Sequence, residues 1–178
     1  MLPVRIFVVS DHHFGHQNMY KFVGFDGTTR VRPYWDDHLD ADRMMVELHN
    51  SVVTAQDHVY FLGDVAMSSW ALQRVTAMNG HKRVILGNHD KEDVKKYREV
   101  FQKVMASRFI DGCILSHIPL HPDSVGERVN VHGHIHERPP YGPQYRNVSV
   151  ERIAYKPRLL SEVREGLWGG EKVAVMGS

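Results

Sequence analysis

Apolar residues along this chain come in short runs, each stopped by a cluster of polar side chains. Arg5-Ile6-Phe7-Val8-Val9 is short and rich in β-branched residues, which predicts a buried strand, and it runs straight into Ser10-Asp11-His12-His13. A long polar loop, Gly15 to Pro33, follows. Asp36 and Asp37 then open a predicted helix whose Ala41, Met45, Leu48 and Val52 fall on one face at i, i+4, i+7 and i+11. The alternation repeats. Val59-Tyr60-Phe61-Leu62 is a predicted strand ending in Gly63-Asp64, and Ser68 or Ser69 caps a helix carrying Leu72, Val75 and Met78 until Asn79-Gly80 stops it. Arg83-Val84-Ile85-Leu86 is a third strand, ending in Gly87-Asn88-His89-Asp90, and a helix is expected over 93–100.

Beyond residue 100 the pattern turns to short strands without long helices between them: Phe109-Ile110, Cys113-Ile114-Leu115 ending at Ser116-His117, Val129-Asn130-Val131-His132 ending at Gly133-His134, and Asn147-Val148-Ser149. These suggest a second sheet. Pro119 to Pro143 is proline-rich and mostly loop, and 161–168 forms a last short helix before a frayed tail. A βαβαβ first half and a strand-rich second half predict an α/β fold in which helices cover two packed sheets. With no repeat and no domain boundary visible, 1–178 reads as a single domain, with a motif-bearing core over 4–150 and a strand and helix extension over 151–178. Open α/β sheets bind ligands beyond the carboxyl ends of their strands, which is where the polar clusters fall.

Composition narrows the functional classes. Hydrophobic residues make up 42% and charged residues 24%, well away from the disordered regime. Lys and Arg number 22 against 21 Asp and Glu, a net charge of +1, so no overall field draws the chain to nucleic acid or anionic lipid. Cys113 is the only cysteine, which rules out an intramolecular disulfide and suits a reducing compartment; its apolar neighbours mark it as an inert core residue. The first ten residues lack a signal-peptide core, and no run approaches a membrane span, so a cytoplasmic protein with no membrane partner is expected. Histidine is the outlier. Of its 13 copies, eight (His12, His13, His16, His89, His117, His132, His134 and His136) lie in or beside the strand-end clusters.

Singly, each cluster is weak. Asp11-x-His13 sends both side chains to one side if the backbone stays extended, Gly63-Asp64 is a common turn, and a lone histidine such as His117 is more often structural than a ligand. Their order is far more specific. Asp-x-His, Gly-Asp, Gly-Asn-His-Asp, His and Gly-His-x-His occur in sequence, each after its own strand, and this set resembles the five-block signature of the calcineurin-like metallophosphoesterases. Asp-His-His-Phe-Gly-His-Gln-Asn at 11–18, with Asn147-Val148-Ser149-Val150 near the end, is similar to a small bacterial and phage-borne branch of that superfamily.

The resemblance implies two divalent metal ions, Mn foremost with Fe, Zn, Co or Ni as alternatives. Asp64 would bridge them, Asp11, His13 and His136 would complete the first site, and Asn88, His117 and His134 the second. Ligands of this mixed kind, with no thiolate, suit those metals better than a structural zinc cage. Two cations about 3.5 to 4 Å apart can neutralise phosphoryl oxygens, activate water and protect a leaving oxygen. His89 is the candidate to contact phosphate and protonate the departing oxygen. Asp90 either orients His89 or caps the helix that begins near Lys91. His16 and Asn18 are candidates to line the substrate pocket, with Asn88 also a candidate substrate contact; Tyr141, Arg146 and Asn147 are candidates to reach the site from the late loop. His12 and His132 should face away from the metals, and His38, His49, His58, His81 and His121 should be ordinary surface residues.

In protein serine/threonine phosphatases the second block continues to a further Asp and Arg; here it reads Gly63-Asp64-Val65-Ala66-Met67-Ser68-Ser69, which disfavours a phosphoprotein substrate. The lack of basic excess and of a capping domain disfavours a double-strand-break nuclease. The leading expectation is a phosphodiesterase for small nucleotide-like or cyclic phosphates, the alternative a phosphomonoesterase with the same site. A non-catalytic scaffold, the role of a retromer subunit that resembles this family, has no need of a complete ligand set.

Overall fold

The structure is a computed structural model that describes residues 4–167. In chain order its regular elements are β1 (Ile6–Val9), α1 (His38–Asn50), β2 (His58–Phe61), α2 (Ser69–Leu72), β3 (His81–Ile85), α3 (Val94–Val100), β4 (Lys103–Met105), β5 (Arg108–Ile110), β6 (Cys113–Leu115), α4 (Pro122–Val125), β7 (Val129–His132), β8 (Tyr145–Asn147), β9 (Arg158–Leu159) and α5 (Leu160–Glu165). One sheet has the order β4-β3-β2-β1-β9 and the other β5-β6-β7-β8. Pairing is parallel except at β1–β9 and β5–β6, so the fold is the expected α/β arrangement of two packed mixed sheets flanked by helices. The parallel pairs β1–β2–β3 and β6–β7–β8 bring their carboxyl ends out at the same edge of each sheet.

Both sheets bury their inner faces in one hydrophobic cluster that includes Val8, Val9, Phe61, Leu62, Leu115, Val131 and Val148. Fully burying each such side chain is worth about 1.5–3 kcal/mol. The sheets are also joined by backbone. The Ser10 amide donates to Val148 O at 3.0 Å and the Val150 amide to Ser10 O at 3.0 Å, while the Asp11, His13 and Phe14 amides donate to Gly63, Asp64 and Val65 carbonyls. The ends of β1, β2 and β8 are thereby held at one point.

Helix starts follow their capping side chains. Asp37 accepts from the Leu39 amide to begin α1, Ser68 from Ala71 to begin α2, and Asp93 from Lys95 to begin α3. β4 lies outside the elements read from the sequence, and β9 falls in the 151–178 extension, where a strand is expected without bounds. Three and two residues long, they carry no periodicity and exist because a neighbouring strand offers an edge. The strand expected at Asn147 to Ser149 begins earlier, at Tyr145, and the short α4 lies inside the stretch read as loop. The last helix runs Leu160–Glu165; Trp168 and the tail fall outside the described residues. Cys113 is buried as expected, and burial raises its thiol pKa to about 11. Among the described residues no helix is long and apolar enough to cross a membrane.

His38, His58, His81 and His121 reach solvent, but His49 does not. It stands four residues after Met45, on the stripe α1 presents to the sheet. Its ring stacks on Phe61 at 5.8 Å, and its Nε2 donates to Asn79 O at 3.0 Å. Reading histidine as a polar residue hid its place in the apolar stripe. Burial lowers its pKa to about 4. The unfolded chain therefore binds a proton that the folded chain refuses between pH 6.5 and about 4, so stability contributed by neutral His49 is complete above 6.5 and lost as pH falls through that window, on the order of 3 kcal/mol in all. Urea titrations of His49→Gln should show a shallower loss over this range than those of the parent; identical slopes would mean that His49 is not held neutral.

Candidate metal centre

Five short loops, each leaving a strand, converge where the sheets meet. Asp11, His13 and His136 place one ligand-capable atom each within 4.8 Å of one another, and Asp64, His117 and His134 form a second such group. Asp64 Oδ2 lies 3.5 Å from His13 Nε2 in the first group and 3.4 Å from His117 Nε2 in the second. Two ligand atoms sharing one ion at roughly 2.1 Å and near-tetrahedral or octahedral angles would stand about 3.0–3.5 Å apart. The other oxygen of Asp64 accepts the His89 amide at 2.8 Å, which turns Oδ2 toward both groups.

The backbone bends sharply to achieve this. Asp11, His13, Asp64, His134 and His136 have φ of 61°, 49°, 50°, 71° and 51°, in the left-handed region that non-glycine residues rarely occupy. Such strain persists only where surrounding bonds over-determine it, and it gathers at functional sites. Asp11 and His13 therefore share a side through two left-handed residues, not through the strand-like alternation expected for them. Glycines make room. A Cβ on Gly87 would lie 2.2 Å from Asp64 Oδ1, and one on Gly133 would lie 2.2 Å from Asp11 Oδ2, which is why Gly precedes Asn88 and His134.

Hydrogen bonds fix the donor atoms. His117 gives its Nδ1 proton to Leu62 O at 2.8 Å, so Nε2 faces Asn88 Oδ1 at 2.9 Å and Asp64. Two acceptor atoms that close require a proton or a cation between them. Although burial alone would lower it, the His117 pKa is raised by its hydrogen bond to Asp64 and by the charges of Asp11 and Asp64. His13 is the opposite case. Both of its ring nitrogens are buried with no hydrogen-bond partner, burial holds its pKa at about 2, and its Nε2 faces the Asp64 and Asp11 carboxylates at 3.5 and 4.0 Å. Asp64 stays ionised at about 2 because His117 and the His89 amide outweigh its burial. An orphaned imidazole beside an ionised carboxylate fits a divalent cation, and no other partner is offered to it among the described residues.

A layer beneath these groups positions them. Asp11 accepts the His134 amide at 2.9 Å and the Ser149 hydroxyl at 2.8 Å. His136 Nδ1 lies 3.3 Å from Glu151 Oε1, which raises its pKa to about 9 against the effect of burial. Glu151 in turn takes the Arg32 Nε proton at 2.8 Å, and the same guanidinium, 0% exposed, donates to His12 O at 2.8 Å and Asp11 O at 2.5 Å. Asn147 donates from Nδ2 to His136 O at 2.7 Å and Arg138 O at 3.0 Å, bracing the loop that carries His136.

Other candidates fall at graded distances. His89 is exposed with its ring 5.4 Å from that of His13; His16 is half-buried, 5.9 Å from the His13 ring, against Phe22. Asn18 is exposed at the head of the 3₁₀ turn Met19–Lys21, and no hydrogen bond joins its side chain to the cluster. His12 stacks on Phe14 and lies tilted against Phe61, and His132 bonds Gly133 O, so both turn inward away from the two groups. Asp90 has neither role expected of it. Asp93 caps α3, and the Asp90 carboxylate accepts the Asp64, Val65 and Gly87 amides at 2.7, 2.9 and 2.8 Å and the Tyr97 hydroxyl at 3.1 Å, locking two loops together without bonding the His89 ring. Arg146 turns to Val163 O and the Pro143 carbonyl, not to the cluster. Arg32 and Glu151 escaped sequence reading. They are 119 residues apart, and the only hint is that Glu151 adjoins the Asn147-Val148-Ser149-Val150 block.

The chain matches the sequence pattern of the calcineurin-like phosphoesterases over residues 4–177 and belongs to that family. It is similar to an uncharacterized protein of the archaeon Methanocaldococcus jannaschii, 32% identical across 86% of this chain and 85% of the relative, and to the Gene 66 protein of Mycobacterium phage L5, 28% identical across 71% and 75%. A crystal structure of a protein of unknown function from Aquifex aeolicus superimposes with a TM-score of 0.70 at 22% identity, covering 92% of this chain and 99% of that one, and shares the fold.

Carboxylates behind metal-binding histidines typically set ion affinity by 10- to 100-fold. Glu151→Gln should weaken divalent-ion binding by about that much, measured by competition with a chelator while circular dichroism checks the fold. Unchanged affinity in the folded variant would show that His136 does not depend on Glu151.

Proposed function

We propose that this protein is a dinuclear-metal phosphoesterase, with Asp11, His13, Asp64 and His136 holding one ion and Asp64, Asn88, His117 and His134 the other. The carrying observation is the place of Asp64 Oδ2, 3.5 Å from His13 Nε2 and 3.4 Å from His117 Nε2. Bound there, two divalent cations supply charge neutralisation for the phosphoryl group and for the attacking water. Manganese is the ion we favour from the family resemblance; imidazole, carboxylate and amide donors without thiolate suit it, and equally suit Fe, Zn, Co or Ni.

The chain's own groups account for the remaining needs of the reaction. Asp64 would be free to serve both ions through Oδ2, because its other oxygen is held by the His89 amide. His89, exposed beside the cluster, contacts the phosphoryl group and carries a proton to the departing oxygen, a step typically worth 10²- to 10⁴-fold. His16 stands on the same side and helps to frame the substrate, with Asn18 further out. A small diester, nucleotide-like or cyclic, is the favoured substrate. Its single negative charge asks less of the site than a monoester's two, and the second block lacks the Arg that grips phosphate in protein phosphatases. The net charge of +1 gives no support to a nucleic-acid partner.

Asp64→Asn should lower bound metal and hydrolysis together, measured by elemental analysis and by turnover of a nitrophenyl diester. Near-normal turnover with one ion bound would sink the two-metal reading. His89→Ala should cut turnover of alkyl esters far more than of nitrophenyl esters, because an alkoxide needs a proton to leave and a nitrophenolate does not. Equal losses at saturating metal would leave His89 as an electrostatic contact only.

A further inference from the structure

Beside His134 and His136 opens a cleft of ≈ 460 Å³, within the usual range for small-molecule sites, lined by Phe22, Val23, Phe25, Arg138 and Tyr141. Phe25 is 76% exposed and Tyr141 72%. Large rings that far from the core cost solubility without adding to stability, and rings gathered at the rim of a site are a signature of ligand binding.

These rings are held in place. The turn that presents Phe25 is closed by Gly24 N–H to Thr29 O at 2.7 Å and by Asp26 Oδ1 accepting the Thr28 and Thr29 amides at 2.9 and 2.8 Å. The Phe25 amide donates to Glu137 Oε1 at 2.8 Å, and Glu137 directly follows His136. One carboxylate therefore ties the turn that presents Phe25 to the loop that carries two of the metal-site histidines. Arg138 lies over Phe25, 5.5 Å from its ring centroid, and Tyr141 packs edge-on to Tyr145 at 6.3 Å. Exposed aromatic rings and a guanidinium beside them suit a flat unsaturated ring, which stacks on such surfaces whatever its hydrogen-bonding edge.

We infer that this cleft is a subsite for the nucleobase of a nucleotide ester, with Phe25 and Tyr141 as stacking platforms while the phosphoryl group sits at the metal centre. The inference rests on the phosphoesterase reading above and adds the identity of the group esterified to the phosphate. It excludes esters of simple polyols as preferred ligands, since glycerol or ribose alone presents no ring to stack.

Adenosine 5′-monophosphate and ribose 5-phosphate carry the same phosphoryl group and sugar and differ by the base. Calorimetric titration of each into the manganese-loaded protein, with turnover of a nitrophenyl diester followed in parallel, separates the two readings. The nucleotide should bind about 5- to 100-fold more tightly than the sugar phosphate, the range expected of base–aromatic stacking. Phe25→Ala and Tyr141→Ala should each shrink that gap, and the double variant should abolish it, with ribose 5-phosphate binding unchanged throughout. Both rings are exposed, so thermal melting of the variants should match the parent. Equal binding of the two phosphates to the parent, or a gap that survives in the double variant, overturns the nucleobase subsite. If diester turnover persists in that case, the dinuclear phosphoesterase reading stands without it. Binding of neither phosphate overturns the nucleobase subsite, and only loss of diester turnover as well overturns the phosphoesterase reading.

Discussion

The carboxylate of Asp64 is the constraint on which the rest of the site depends. It has to present one oxygen to two imidazole groups from different sheets, and every bond around it serves that end. The His89 amide occupies its Oδ1, the Asp90 carboxylate accepts the Asp64 and Val65 amides, and Gly87 leaves a gap that a single methyl group would close. Burial alone would neutralise such a group; His117 and the His89 amide keep it charged. The cost is backbone strain at five of the converging residues, offset by the ladder that joins the ends of β1, β2 and β8.

Charge is arranged in depth behind that carboxylate. Arg32 and Glu151 compensate one another in a fully buried pair, and both make a further contact. Arg32 satisfies the carbonyls of Asp11 and His12, and Glu151 faces His136. A buried pair of this kind is weak evidence of stabilisation, because desolvation can exceed the Coulombic gain. Its value here is geometric, since the left-handed turn at Asp11 exposes two carbonyl oxygens that no strand partner can reach.

Much of this was legible in the sequence because strand ends advertise themselves. An apolar run followed by Asp, His or Gly-Asp marks both the element and the polar atoms beyond it, so the α/β class and the converging clusters followed from one pattern. What escaped lies where side-chain periodicity carries no signal. β4 is too short to alternate, β9 so short that its place within the C-terminal extension could not be read, His49 hides in a helix stripe as an apparent polar residue, and the Arg32–Glu151 pair joins two loops with no spacing between them to read. Asp90 was ambiguous for a further reason. A carboxylate that accepts backbone amides across two loops looks, in one dimension, the same as a helix cap.

The separations along the chain bear on how the molecule comes together. Asp11 meets His134 across 123 positions and Ser149 across 138, and Arg32 meets Glu151 across 119. Contacts that distant are slow to form, because a long loop has to close before any of them can reward it. A nascent chain that has folded only its first three strands presents Asp11, His13 and Asp64 but none of the histidines beyond Gly112. Ions would then find their full coordination only after β7 and β8 have docked, so their binding energy acts chiefly against unfolding and adds little to the speed of folding. By this reasoning the loaded protein is long-lived chiefly through a high barrier to opening the seam between its sheets.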